Sequence, residues 1–204
     1  MTILEEVEIK LDYADMDRRI VLPRLATPDG FILQHPRSSG VHMSGILKPL
    51  AIAAKQCKAT DILEDEYPLM WFLGIAWEEA VASLYPTMDY QPGGICVDGI
   101  HMTCDGLNWL DEWGEACVEE MKSTYRSSTF PFKDEWMKLA QGKAYCHGYG
   151  PRIVRWHSCH LRGDYKSFGP IYKRRTVRFS DTEIAQNWAM FVKNKSLGVA
   201  EKGS

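Results

Sequence analysis

Residues 115–128, EACVEEMKSTYRSS, constrain the fold of this chain more than any other stretch. Ala116, Cys117 and Val118 begin an extended apolar run of the kind that enters a sheet core. Glu119, Glu120 and Lys122 follow at once, where the segment should still be buried. Side chains alternate across a strand, so Val118, Glu120 and Lys122 share one face while Glu119 points to the other. A carboxylate and an ammonium therefore stand side by side off the end of a core strand.

The neighbouring sequence supplies the elements such a strand needs. Ser44 caps a helix reaching to about Cys57, with Ile46, Leu47, Leu50, Ala51 and Ala54 on its apolar stripe. Residues 23–45, rich in Pro and Gly, read as a loop. A second helix follows Pro68 and stops near Tyr85-Pro86, where proline forbids continuation. Residues 94–107 alternate around Asp98-Gly99, a hairpin signal, so with 115–122 they make three strands in a row. A crossover helix is expected over 132–147, then strands near 152–162 and 171–179. Ser180-Asp-Thr-Glu183 is a capping box opening a last helix that carries Trp188 and Phe191. Helices, a meander, a crossover helix, further strands and a closing helix make an α/β or α+β domain.

At 204 residues the chain suits one domain able to bury about 70% of its unfolded surface. Its 45% hydrophobic and 25% charged residues are ordinary for a globular protein. No signal-peptide pattern and no apolar run near the roughly 20 residues of a membrane span are present. The expected location is cytoplasmic, away from membranes. The six cysteines are then thiols, and with no C-x-x-C pair a zinc knuckle has little support. Net charge is −3, yet residues 1–20 hold six acids against three bases. Residues 151–178 hold eight bases against Asp164 alone. Such a split gives either one basic, phosphate-binding face or the solvated outer face of two strands.

Asp105 lies near the end of the second hairpin strand, upstream of Glu120. Adjacent strand ends carrying an Asp, a Glu and a Lys form an acidic pocket with one cation. Mg²⁺ and similar hard ions take one or two carboxylates and complete their shell with water and phosphate. A metal so held polarises a phosphodiester, and a lysine positions or deprotonates the nucleophile. The bland alternative is a salt bridge at a strand end. Gly74 and Glu78 lie one turn apart in the helix after Pro68, so Glu78 can lean over the same strand ends. Gln141 and Tyr145 likewise share one face of the crossover helix.

The order G-x-x-x-E in a helix, D at a strand end, E-x-K on the next strand and Q-x-x-x-Y in the following helix resembles the PD-(D/E)XK nuclease superfamily, RecB-like and phage exonuclease branch. The resemblance rests on Gly74…Glu78, Asp105, Glu120-Met121-Lys122 and Gln141…Tyr145. It implies a restriction-endonuclease-like core, a central mixed sheet flanked by helices. It also implies Mg²⁺ or Mn²⁺ on Asp105 and Glu120, with the Met121 carbonyl as a further oxygen and Glu78 as an accessory ligand. Lys122 would orient or activate the attacking water. DNA contacts would come from Gln141 and Tyr145, which contact the strand or steady the site. Ser123 and Arg126 just beyond, and Arg174 and Arg175 in the basic stretch, would add to them. Asp105 is preceded by Cys104, not by the proline of the family name. With Cys57 upstream but only Cys146 and Cys159 downstream, no iron–sulfur cluster is expected.

The resemblance implies a metal-dependent deoxyribonuclease, an exonuclease of phage-type recombination or DNA processing. One nuclease domain is expected over 1–204, with 1–40 as an N-terminal extension, 41–195 as the core and 196–204 as a disordered tail. Its partners would be DNA ends and a recombinase or single-strand-binding protein, with a homo-oligomer as a further option. The rivals are a non-catalytic DNA-binding or assembly subunit, and an interaction protein docking through Trp71, Trp77, Trp109 and Trp113.

Overall fold

In the computed structural model, which describes residues 1–10, 40–53, 68–109, 114–132, 135–166 and 169–197, nine strands and four helices are found among the described residues. In chain order they are β1 (Thr2–Lys10), β2 (Val41–His42), α1 (Met43–Ala53), α2 (Pro68–Leu84), β3 (Asp89–Tyr90), β4 (Ile95–Val97), β5 (Ile100–Met102), β6 (Gly106–Asn108), β7 (Cys117–Thr124), α3 (Trp136–Tyr149), β8 (Ile153–His160), β9 (Ile171–Arg178) and α4 (Asp181–Ser196). Most of the loop expected at 23–45, together with Cys57, Trp113 and the tail beyond 197, lies outside the described residues.

Six strands form a mixed sheet in the order β1-β9-β8-β7-β6-β3. Only β7 and β8 run parallel, and α3 makes the crossover that a parallel pair requires. Register sorts side chains between two faces. Val118, Glu120 and Lys122 line up with Val154, Trp156 and Ser158 of β8, then with Val177, Arg175 and Lys173 of β9. That face packs against Ala140, Ala144 and Tyr145 of α3, Trp188 and Phe191 of α4, and Ile46 and Leu47 of α1. The opposite face carries Met121 and Cys159, covered by Trp77 and Val81 of α2. Cys146 and Cys159 thus stand on opposite sides of the sheet. The sheet flanked by helices is a mixed α/β arrangement, and no helix among the described residues is long and apolar enough to cross a membrane.

Turn and cap chemistry act where the sequence places them. Asp98 and Gly99 both adopt positive φ, 50° and 69°, as a two-residue hairpin turn demands. Ser180 Oγ accepts from Glu183 N at 3.3 Å, and Ser180 N donates to Glu183 Oε2 at 3.0 Å, completing the capping box of α4. Helix α4 also holds the hairpin turn, through Trp188 Nε1 to Asp98 Oδ2 at 2.8 Å.

Two expectations need correction. The hairpin strands do not continue into β7 as a meander. β4 and β5 join β2 in a separate three-stranded sheet, and a distinct strand, β6, pairs with β7. Residues 2–10 are not an extension outside the core, because β1 pairs antiparallel with β9 along its length. That pairing also cancels the charge split between the acidic start and the basic stretch. Glu5 pairs with Arg174, Glu6 with Arg175, and Glu8 with Lys173 at 2.7 Å. Arg152 pairs with Asp181, and Arg178 with Glu115. Of the two readings of the basic stretch, a phosphate-binding face or the solvated outer face of two strands, the structure bears on five of its bases, each held by an acid of the adjoining strand or its surroundings.

At Gly142 of α3 the helix packs tightly against the sheet. A Cβ there would meet Trp156 Cζ2 at 2.5 Å and Cη2 at 2.9 Å, and Trp156 is buried. Gly142→Ala is expected to cost about 1–3 kcal/mol by overpacking. Gly74 of α2 behaves differently. Its added Cβ would lie 3.6 Å from Ser123 Oγ, an ordinary contact. Gly74→Ala should therefore leave stability unchanged or raise it by up to about 1 kcal/mol. Urea unfolding of the two variants checks both signs; destabilisation of equal size at both positions would refute the distinction.

Candidate functional site

The site forms where β6 leaves β7. The two strands pair only through Gly106 with Glu119, Leu107 with Val118 and Asn108 with Cys117. From Glu120 onward the β7 edge has no β6 partner, and the chain places Asp105, between β5 and β6, at this opening. Asp105 Oδ2 accepts from the Met121 backbone N–H at 2.7 Å, taking the place of a neighbouring strand's carbonyl. The N–H and C=O of one strand residue point the same way, so the Met121 carbonyl oxygen faces the same opening. Gln91 N donates to the Asp105 carbonyl at 2.9 Å and steadies the backbone there.

Glu120 is fully buried, and among the described residues neither of its oxygens accepts an aligned hydrogen bond. Its counter-charge is the Lys122 ammonium, paired with Oε1 and 3.7 Å from Asp105 Oδ2. Burial is the main cause that pushes the Glu120 carboxyl up, to about 8. The Asp105 carboxylate adds to it, Lys122 opposes it, and Glu78 contributes a smaller push upward. Lys122 is the converse case. Burial works against its charge, but Asp105, Glu120 and Glu78 together hold the ammonium above its ordinary range. Its side chain remains 31% exposed, so it reaches from the buried carboxylate to solvent.

Two helices flank the opening. Gln141 Nε2 of α3 donates to Tyr145 Oη at 2.8 Å, and Tyr145 is 3% exposed. Burial, then the nearby Glu120 and Asp105 carboxylates, raise the Tyr145 hydroxyl well above its ordinary value. Tyr145 and Gln141 both line the cavity that adjoins Asp105. Glu78 of α2 is half-buried, and its charge is felt at both Glu120 and Lys122. Among the described residues no three of His, Cys, Asp and Glu gather into a metal cage. The donor set is two carboxylates with the Met121 carbonyl.

The other expected contacts are dispersed. Ser123 and Arg174 fall on the α2 face of the sheet, away from Glu120, because β alternation sends neighbouring residues to opposite sides. Arg175 shares the Glu120 face but is bound to Glu6. Arg126 stands at the exit of β7, in a cleft of about 340 Å³ that Lys122, Thr124 and Gln141 also line. A larger cavity of about 570 Å³ adjoins Asp105 and is lined by His42, Ser44, His101 and Thr103. The sequence carried no local signal for it, since His42 and His101 meet only because β2 pairs parallel with β5.

Glu119 is excluded from the opening by its own partners. Fully buried on the far face, it accepts from Arg155 Nη1 at 2.8 Å and contacts His157 Nε2 at 2.9 Å. His157 Nδ1 in turn lies 2.8 Å from Tyr172 Oη. Removing one member of such a set strands a buried charge. Glu119→Ala is expected to cost about 3–5 kcal/mol in urea unfolding, because Arg155 has no route to solvent. A loss below about 1 kcal/mol, the scale of a surface pair, would contradict this.

No protein-family model matches this chain, and no curated protein sequence does. Among solved structures, the crystal structure of SSO0001 is similar over 81% of this chain and 80% of that one, with a TM-score of 0.51 and 14% sequence identity. At that identity the likeness extends to the fold alone.

Proposed function

We propose that this chain is a metal-dependent deoxyribonuclease on a restriction-endonuclease-like core, of the PD-(D/E)XK, RecB-like kind, acting as an exonuclease. The observation that carries the reading is the opening at the β7 edge. Asp105, Glu120 and the Met121 carbonyl converge there beside one ammonium, and the buried Glu120 oxygens lack aligned donors.

That donor set suits a hard divalent ion. Asp105, Glu120 and Met121 O would hold Mg²⁺ or Mn²⁺, leaving the remaining positions to water and phosphate. Such an ion, when bound, polarises the phosphodiester and lowers the pKa of its water. The protein's own groups divide the remaining work. The Met121 N–H fixes Asp105, so the carboxylate is oriented before any ligand arrives. Lys122 is held as an ammonium and has no lone pair with which to take a proton. It therefore orients the attacking water and stabilises negative charge developing on the phosphate, rather than acting as a base. Gln141 and Tyr145 buttress the carboxylates from α3, and Glu78 contributes negative charge from α2.

The test is incubation of the purified protein with end-labelled linear DNA, with Mn²⁺, with Mg²⁺ and with EDTA. Loss of full-length strand only when metal is present supports the reading, and release of mononucleotides from linear but not circular DNA supports exonuclease action. Intact DNA in every condition would overturn it in favour of a non-catalytic subunit.

A further inference from the structure

We infer that the loops at the exits of β7 and β8 form a stacking platform for unpaired bases, so that the strand delivered to the site is single-stranded DNA. The inference rests on the nuclease reading for its destination, but its geometry stands apart from the carboxylates.

Three aromatic rings lie exposed on these two short loops: Tyr125 at 43%, Phe130 at 37% and Tyr165 at 61%. Single exposed aromatics are commonplace, but three on adjoining loops are not scattered. Guanidinium groups accompany the rings. Arg126 lies 4.8 Å from the Phe130 ring centroid, and Arg162 lies 5.1 Å from that of Tyr125. Aromatic faces interleaved with cations are what sequence-tolerant recognition of an unpaired strand requires, since every base offers a π-face and every linkage a negative charge.

The platform is built in advance. Leu161 N donates to the Thr124 carbonyl at 2.9 Å, and Ser128 N to the Gly163 carbonyl at 2.8 Å. His160 Nδ1 lies 2.9 Å from the Arg126 carbonyl, and Tyr165 Oη donates to the Tyr125 carbonyl at 2.6 Å. Tyr165 itself adopts φ 66°, a backbone region that bulky residues rarely occupy and that persists where the surroundings impose it. Little conformational freedom is left to lose on binding. The platform also leads to the site. The cleft holding Arg126 is lined in addition by Trp136, Thr124 and Lys122 of the site. A duplex presents its bases stacked on one another, so only an unpaired strand can use these rings.

The experiment measures fluorescence anisotropy of a labelled oligothymidylate and of a blunt duplex, in EDTA so that neither is cut. The oligothymidylate is expected to bind more tightly than the duplex. Tyr165→Ala and Phe130→Ala should each weaken it by about 5- to 150-fold, with little change in its salt dependence. Tyr165→Phe, which keeps the ring, should retain most of the affinity and guards against a folding artefact. Arg126→Gln should instead lower the salt slope by about one. Equal binding of duplex and single strand, or an unchanged affinity in both alanine variants, would overturn the platform. Mn²⁺-dependent cleavage by those same variants would then leave the nuclease reading intact. Ring-dependent binding without any cleavage by the wild-type protein would do the reverse.

Discussion

Asp105→Asn and Glu120→Gln are each expected to reduce Mn²⁺ binding and DNA cleavage to background in a protein that remains folded. Asparagine at 105 keeps a carbonyl oxygen for the Met121 N–H, so the hydrogen bond at 2.7 Å and the local backbone should survive. What is lost is the charge. With only two carboxylates in the donor set, neither can be spared. Glu120→Gln should show a second effect of opposite sign. The folded protein holds the Glu120 proton up to about pH 8, whereas the unfolded chain releases it near 4.5. Metal-free stability therefore falls as pH rises through that window, because the ionised form is disfavoured by burial and by Asp105 and Glu78, with only Lys122 opposing. Glutamine at 120 has no proton to lose, so the variant should be inactive yet more stable than the parent in EDTA at pH 8. Calorimetric titration with Mn²⁺, a cleavage assay, and denaturation at pH 5 and pH 8 check the three statements. Unchanged Mn²⁺ affinity in Asp105→Asn would remove the metal assignment.

Lys122→Ala is expected to separate binding from cutting. If the ammonium only completed an ion pair with the buried Glu120, its loss would cost stability, as breaking a buried pair does, and leave the cleavage rate near wild type. As the group that orients water and stabilises charge, its loss should slow cleavage about 10²–10⁴-fold, or roughly 3–5 kcal/mol of barrier. Mn²⁺ binding should persist, because an ammonium is no ligand, and can tighten once a positive charge leaves the pocket. Glu120 would hold its proton more firmly without Lys122, so affinities should be compared above about pH 8. The decisive outcome is a folded, metal-loaded, DNA-bound protein that cuts slowly. Cleavage at near wild-type rate would leave the two carboxylates standing and take Lys122 out of the mechanism.

Local chemistry made much of the fold legible. The hairpin at Asp98-Gly99, the proline-terminated helix ending before Tyr85 and the capping box at Ser180 are each set by residues within a few positions of one another, and each stands where its signal lies. The choice of Glu120 over Glu119 followed from strand alternation alone. The two side chains do lie on opposite faces, because β7 is regular and both faces are covered, one by α3 and the other by α2.

The rest depended on pairings between distant segments. That residues 2–10 close the sheet beside β9, nearly the whole chain away, is a matter of which edge is free, and no local pattern records it. The same pairing set Lys173, Arg174 and Arg175 against Glu8, Glu5 and Glu6. It was likewise tertiary structure that ended β6 opposite Glu119, opened the β7 edge and set Asp105 on the Met121 amide. Which residues can carry charge, turn and cap, and on which face of a strand each falls, is written along the chain, because those properties are local and periodic. Which charges meet is settled by folding, because burial and pairing belong to segments that come together in space and not along the chain.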